Sequence, residues 1–333
     1  MPGYAGQSCF YFQFKPRVKQ RRVKRMNSRH SGWVLLVCMA LALLRTPASA
    51  QFSDPRNYQN VPVGVNQIEL GYTYVHANAS IDSAIVIGGA KLNLNQGTIS
   101  YTRYFGLFGR TAWVAPGIPL AGLGGSVSGT NVSGSIAGAG DSSYEFAMLF
   151  KGGPALSPAE FANYKPTTTL GMSLVVTAPT GLYSGDKILN LGSDRWSFRP
   201  EVGVSYPFGP EQKWVLDAYA NCYFYTDNTS YRGVEVLKQE PLPGFEGHLS
   251  YTFSERVMAS LDTRYSFRGE TTVNNLGQDD SQRNFILGSE AIVTLNAKNQ
   301  LTFIFEKALV HVNGPSATGV TLRYDYLWGR GYK

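Results

Sequence analysis

Charged residues recur two positions apart through the second half of this 333-residue chain. Arg199 and Glu201, Glu246 and His248, Asp262 and Arg264, and Arg323 and Asp325 are such pairs. That spacing places both side chains on one face of a β-strand. Glu145, Asp217, Glu290 and Glu306 occupy comparable polar positions, and Tyr219, Tyr223 and Tyr225 follow Asp217 on its face. Such a set has two possible uses. Acids and guanidinium groups can pair across a narrow space and stiffen it, or they can form a mixed-charge wall that steers polar or aromatic solutes. The signs are interleaved, with no single-sign ring of the kind that sets ion selectivity. Cross-strand pairing of Glu246 or His248 with Asp262 or Arg264 is expected if their strands are neighbours.

The same residues make a poor catalytic set, and no enzyme is expected. Hydrolysis needs a nucleophile or activated water beside an oriented base. His248 and Ser250 lie two apart on one strand face, which is alternation and no dyad. His76 and His311 fall in or beside long connections. The His and Cys spacing has no zinc pattern, and no glycine-rich phosphate loop follows a strand and opens a helix. No cofactor and no metal are expected.

The elements that must position these residues are strands. Twelve segments alternate apolar and polar side chains: 67–76, 95–105, 109–121, 141–152, 167–178, 196–207, 213–225, 241–253, 256–267, 282–295, 299–310 and 318–328. Trp196, Phe198, Val202, Val204 and Tyr206 oppose Ser197, Arg199, Glu201 and Ser205; Val320, Leu322, Tyr324, Tyr326 and Trp328 oppose Thr321, Arg323 and Asp325. The second and third segments leave the directions of Tyr101 and Trp113 open. Alternation alone fits a soluble β-sandwich as well as a membrane barrel. Three features favour the membrane. Aromatics gather at strand ends (Phe150, Tyr206, Phe208, Trp214, Tyr251, Phe253, Tyr326, Trp328), as interfacial girdles require. The last segment is aromatic-rich and nearly terminal. The gaps alternate, with 106–108, 208–212, 254–255 and 296–298 short and 77–94, 122–140, 179–195, 226–240 and 268–281 long. The fold expected is all-β, a transmembrane antiparallel up-and-down barrel of about 12 strands spanning 67–328. One gap, 153–166, is long on the short-turn side. Its Ser157-Pro158-Ala159-Glu160 is a capping box with proline at the first helical position, so a short helix is expected there.

Residues 1–50 read as a signal peptide. Arg17, Lys19, Arg21, Arg22, Lys24, Arg25 and Arg29 precede an apolar run, 34–44, that is too short to cross ~30 Å of hydrocarbon as a helix. Ala48-Ser49-Ala50 fits a cleavage site before Gln51, and Met26 would give a more ordinary start. This segment holds nine of the 30 Lys and Arg residues and none of the 23 Asp and Glu. The remaining 21 bases against 23 acids carry −2, against +7 for the whole chain, so a nucleic-acid partner is not expected. Only Cys222 of three cysteines lies beyond it, which excludes a disulfide scaffold. Residues 51–66 have no strand pattern and either plug the lumen from below or hang in the periplasm. The Gly/Ser/Ala-rich stretch 122–140 reads first as a mobile outer loop, second as a constriction folded into the mouth. Residues 329–333 form a short C-terminal extension.

The stretches Thr177-Ala178-Pro179-Thr180-Gly181-Leu182-Tyr183 and 190–203 (NLGSDRWSFRPEVG), with Phe224-Tyr225-Thr226-Asp227-Asn228 and Gln239-Glu240-Pro241-Leu242, resemble the MetA-pathway of phenol degradation family. The resemblance is good over about 141–275 and extends from the first strand to the C-terminus. It implies a barrel of this size in the outer membrane of a Gram-negative bacterium, associated with the admission of hydrophobic or aromatic compounds. It brings no catalytic motif. The expected function is an outer-membrane channel or facilitator for passive uptake of small, aromatic or hydrophobic molecules. The alternative is a non-conducting structural or adhesin-like barrel acting through its outer loops. Membrane lipid, the outer-membrane assembly machinery and a small solute of unknown identity are the expected partners.

Overall fold

The computed structural model describes residues 53–78, 90–128, 131, 133–187, 189–314 and 316–329. The expected signal peptide, the expected start at Met26 and cleavage before Gln51, and residues 330–333 of the extension lie outside the described residues.

Twelve strands form the wall: β1 (Val65–Ala77), β2 (Ala90–Leu107), β3 (Arg110–Val127), β4 (Ser142–Lys151), β5 (Thr169–Ala178), β6 (Ser197–Phe208), β7 (Trp214–Tyr225), β8 (Leu242–Ser254), β9 (Val257–Arg268), β10 (Gln282–Asn296), β11 (Asn299–Val312) and β12 (Ala317–Gly329). Each pairs antiparallel with the next, and β12 returns to β1 from Val65↔Gly329 to Ala77↔Ala317. The sheet is a closed transmembrane barrel with no free edge. Its burial is inverted relative to a water-soluble core. Leu70, Tyr72, Phe198, Val202, Leu261 and Leu322 are exposed on the outside, while Gln67, Glu69, Arg199, Glu201, Asp262 and Arg323 are buried inside. At the short-turn end the girdle is a continuous chain of rings: Tyr206–Phe208 at 5.8 Å, Phe208–Trp214 at 6.3 Å, Trp214–Tyr251 at 4.6 Å and Tyr251–Phe253 at 4.9 Å. Tyr101 faces outward, and Trp113 is fully buried inside.

The long connections carry more structure than their composition indicates. Most of the described part of 122–140 is strand: β3 continues to Val127, and a strand at Ser133–Ala139 pairs back onto it from Leu120↔Ala139 to Ser126↔Ser133. Leu189 and Leu191, from the connection after β5, pack with Val75, Leu92 and Leu123 on the inner side of this wall. The space comes from glycine, since a Cβ on Gly125 would lie 2.8 Å from Leu92 and 3.4 Å from Leu189. Four short strands (Asn228–Tyr231, Glu235–Gln239, Thr271–Val273 and Leu276–Gly277) form a separate small sheet at the same end. At the opposite end the expected helix is present as α1 (Pro158–Phe161), with both bonds of the capping box formed. Its Glu160 carboxyl is held below the usual carboxylate range by hydrogen bonds from the Ser157 hydroxyl and amide.

Residues 53–64 run inside the barrel. They descend from mid-lumen to the short-turn end, and the chain reverses at Gly64 (φ +87°) into β1. The connection 152–168 lies beneath: Leu156 accepts from the Val63 amide at 2.8 Å and Pro154 from the Asn60 side chain at 3.0 Å. Tyr58 is fully buried against Trp113 and Tyr219, with centroids at 6.2 and 5.2 Å. Two wall glycines make room for its ring. A Cβ on Gly171 or Gly203 would meet it at 2.1 or 2.3 Å, so neither position accepts a side chain while Tyr58 stays seated. Gly203→Val is therefore expected to leave a heat-modifiable barrel while displacing the segment. Added protease should then cut residues 53–64 at least about tenfold faster than in the unmodified protein, and equal rates would show that Tyr58 does not hold the segment.

Candidate functional site

Period-two strands with an outward apolar face drive their polar positions into the lumen, because Arg or Lys at mid-depth on the lipid side would cost about 2–4 kcal/mol. The structure places Glu145, Arg199, Glu201, Asp217, Tyr219, Tyr223, Glu246, His248, Asp262, Arg264, Glu290, Glu306, Arg323 and Asp325 all in buried positions on the wall strands. The registers Glu246↔Arg264 and His248↔Asp262 set two of the expected cross-strand pairs directly opposite one another. His248 Nδ1 lies 2.9 Å from Asp262 Oδ1, and Arg264 Nε lies 3.6 Å from Glu246 Oε1.

What brings the wall residues together is the chain segment inside them, whose side chains the pattern of strands does not reveal. In the lower lumen Asp54 accepts a two-pronged bond from Arg323, Oδ1 from Nη1 at 3.1 Å and Oδ2 from Nη2 at 2.8 Å. The same guanidinium faces Glu69 at 3.4 Å, Glu290 at 3.8 Å and Asp325 at 3.9 Å. Arg56 donates its amide to Asp217 at 2.9 Å, its Nε to Ser250 at 2.7 Å, and its Nη1 to Thr252 at 2.9 Å. The Tyr58 hydroxyl donates to Glu201 at 3.0 Å. Higher up, the Ser53 amide donates to Glu246 at 2.7 Å and its hydroxyl to Glu201 at 2.9 Å, while Arg199 Nη2 donates to Ser53 at 3.2 Å.

Ser250 and His248 serve separate contacts. Ser250 takes the Arg56 bond, and His248 engages Asp262. Among the described residues no group of His, Cys, Asp and Glu is placed to hold a metal ion. The arrangement is a polar duct whose lower half is occupied by the chain's own hydrogen-bonding groups.

Above Ser53 the lumen changes character. Tyr223 and Tyr225 lie parallel, 8° apart in plane with centroids at 6.1 Å. Arg199 and Arg264 sit 5.8 and 5.7 Å from the Tyr223 centroid, and Arg195 sits 4.4 Å from that of Tyr225. Asp54, Arg56, Tyr58, Glu69 and Arg195 are the participants that sequence reasoning missed. Glu69 alone had a usable signal, two positions from Gln67 on an alternating strand.

These features define a transmembrane β-barrel with a polar, internally occupied lumen. The chain belongs to the family described as MetA-pathway of phenol degradation, whose model matches residues 76–324. Among solved structures it is similar to an outer-membrane channel from Pseudomonas putida F1, with 23% identity and a TM-score of 0.71, covering 83% of this chain and 99% of that one. The β domain of the Bordetella autotransporter BrkA aligns at 9% identity and a TM-score of 0.47 over 79% of this chain and 99% of that one. A monoaromatic hydrocarbon channel, CymD, aligns at 8% and 0.43 over 81% and 90%. At these identities the likeness is one of fold. No curated protein matches the sequence.

Removing either partner of the Asp54–Arg323 pair should have unequal effects. Asp54→Ala leaves Arg323 facing Glu69, Glu290 and Asp325, and costs about 1–3 kcal/mol in denaturant unfolding of the lipid-embedded barrel. Arg323→Ala leaves four buried carboxylates facing one another and costs about 3–5 kcal/mol. Equal losses would mean that the acids are not held by the arginine.

Proposed function

We propose that this barrel is an outer-membrane channel or facilitator for passive uptake of small aromatic or hydrophobic molecules, closed at rest by residues 53–64. The supporting observation is how the occupant is held. Beside the apolar seat of Tyr58 against Trp113 and Tyr219, its contacts from Ser53 to Asp54 and at Arg56 are hydrogen bonds and one ion pair to wall side chains. Water can replace each of these when the segment moves, at a small net cost per bond. Family membership and the Tyr223–Tyr225 pair favour aromatic solutes. In this reading the long-connection end faces outward, and the partners are membrane lipid, the assembly machinery and the solute.

The second reading is a non-conducting barrel that acts through its outer surface. The four-stranded outer sheet and the filled lower lumen favour it. Planar-bilayer recording separates the two. On the uptake reading, refolded protein gives brief, infrequent conductance steps, and Asp54→Ala raises the open probability about tenfold, equivalent to roughly 1.4 kcal/mol on the closed state. A heat-modifiable barrel that stays silent even with Asp54 replaced would favour the surface reading.

A further inference from the structure

The outer half of the lumen has two unlike walls. On one side Val75, Leu92 and Leu123, from β1–β3, meet Leu191 in an apolar cluster. The strand order places β6–β9 across the barrel from β1–β3, and that side carries the column of Tyr223, Tyr225 and their arginines. Glu201 and Glu246, which accept from Ser53, lie at the lower end of this column.

Arg195 differs from the arginines below it. Arg199, Arg264 and Arg323 all face carboxylates within 4 Å. Among the described residues Arg195 has no carboxylate at that distance. Its Nη2 donates to the neutral Gln239 side chain at 2.7 Å, and its Nη1 is shielded from solvent without a hydrogen-bond partner. A shielded donor left unpaired is unfavourable, more so on a charged group, so the site stands to gain by admitting an acceptor. The loop that carries Arg195 is fixed at both sides. Asp141 accepts from the Gly181 and Ser193 amides at 2.8 Å each, and Trp196 exchanges two 3.0 Å bonds with Thr226.

We propose that Arg195, Tyr225 and Tyr223 form a subsite for an aromatic monocarboxylate, a single ring bearing one negative group. The inference takes its role in uptake from the function proposed above. The carboxylate pairs with the Arg195 guanidinium, which offers the fork geometry that carboxylates take up in bidentate pairs. The ring lies between the tyrosines and the apolar wall, where offset or edge contacts add to burial. The buried acids at the lower end, Glu201 and Glu246, oppose a second negative charge, so a dicarboxylate is disfavoured.

The test is equilibrium titration of the refolded barrel, with residues 53–64 in place, with benzoate, benzyl alcohol and acetate. Benzoate is expected to bind saturably and at least about tenfold more tightly than the other two. Arg195→Gln should bring benzoate down to the level of benzyl alcohol, and Arg195→Lys should restore part of the difference. Rising salt should weaken benzoate alone, which gives a readout on the unmodified protein if a variant fails to assemble. Equal affinity for benzoate and benzyl alcohol, an unchanged Arg195→Gln, or no saturable binding would each overturn the proposal. Flux into liposomes reports separately on uptake. Passage of benzyl alcohol without any benzoate preference overturns the subsite and leaves the channel, whereas benzoate binding without flux of either solute supports the subsite and overturns the channel.

Discussion

Backbone amides and carbonyls have no water to bond in hydrocarbon, and every other feature of this molecule follows from that requirement. A sheet satisfies it only by closing, which here happens along the ladder between β1 and β12 over thirteen register pairs. Closure then divides the side chains absolutely. Positions such as Leu70 and Val202 meet lipid, and their neighbours Glu69 and Glu201 are confined with one another inside. The charges are inside because the other face cannot hold them, and once inside they need partners. The segment 53–64 supplies many of these: a carboxylate for Arg323, amides for Asp217 and Glu246, and hydroxyl groups for Glu201.

The occupant and the wall are therefore one electrostatic system. Arg323 alone faces four carboxylates, and Asp54 makes the tightest contact of the four. Arg199 likewise bridges the wall and Ser53. The apolar cluster around Leu191 and the aromatic column around Tyr223 lie above this level, so the outer lumen remains chemically distinct from the occupied part below it.

Much of the wall was legible in the sequence because a period of two is a local property. The strand at 213–225, the pairing of Glu246 with Arg264 and the capping box at Ser157 each follow from residues within a short window or in adjacent hairpins. The occupant was not legible, because its partners are remote: Asp54 and Arg323 are 269 positions apart, and Ser53 and Glu246 are 193 apart. Nothing in the composition of residues 51–66 distinguishes a docked segment from a hanging one. Composition misdirected the reading of 122–140 for a related reason. Its glycines look like flexibility, yet they provide a flat paired backbone on which Leu189 and Leu191 rest, and that use depends on a loop sixty residues away. Arg195 escaped notice because it lies in a connection, where alternation says nothing about direction.

The reversal at Gly64 links the occupant to the first residue of the closing strand. Its φ of +87° and the empty space where a Cβ would stand let the backbone turn there, while β1 begins its pairing at the next residue. On the uptake reading, a segment swung about this point would vacate the lumen and stay attached to the rim. Its return is an intramolecular reaction, governed by an effective concentration on the order of millimolar for so short a tether. Reclosure would then proceed at the same rate in a sparse membrane as in a crowded one, and a dissolved competitor for the wall groups would have to reach comparable concentrations to delay it.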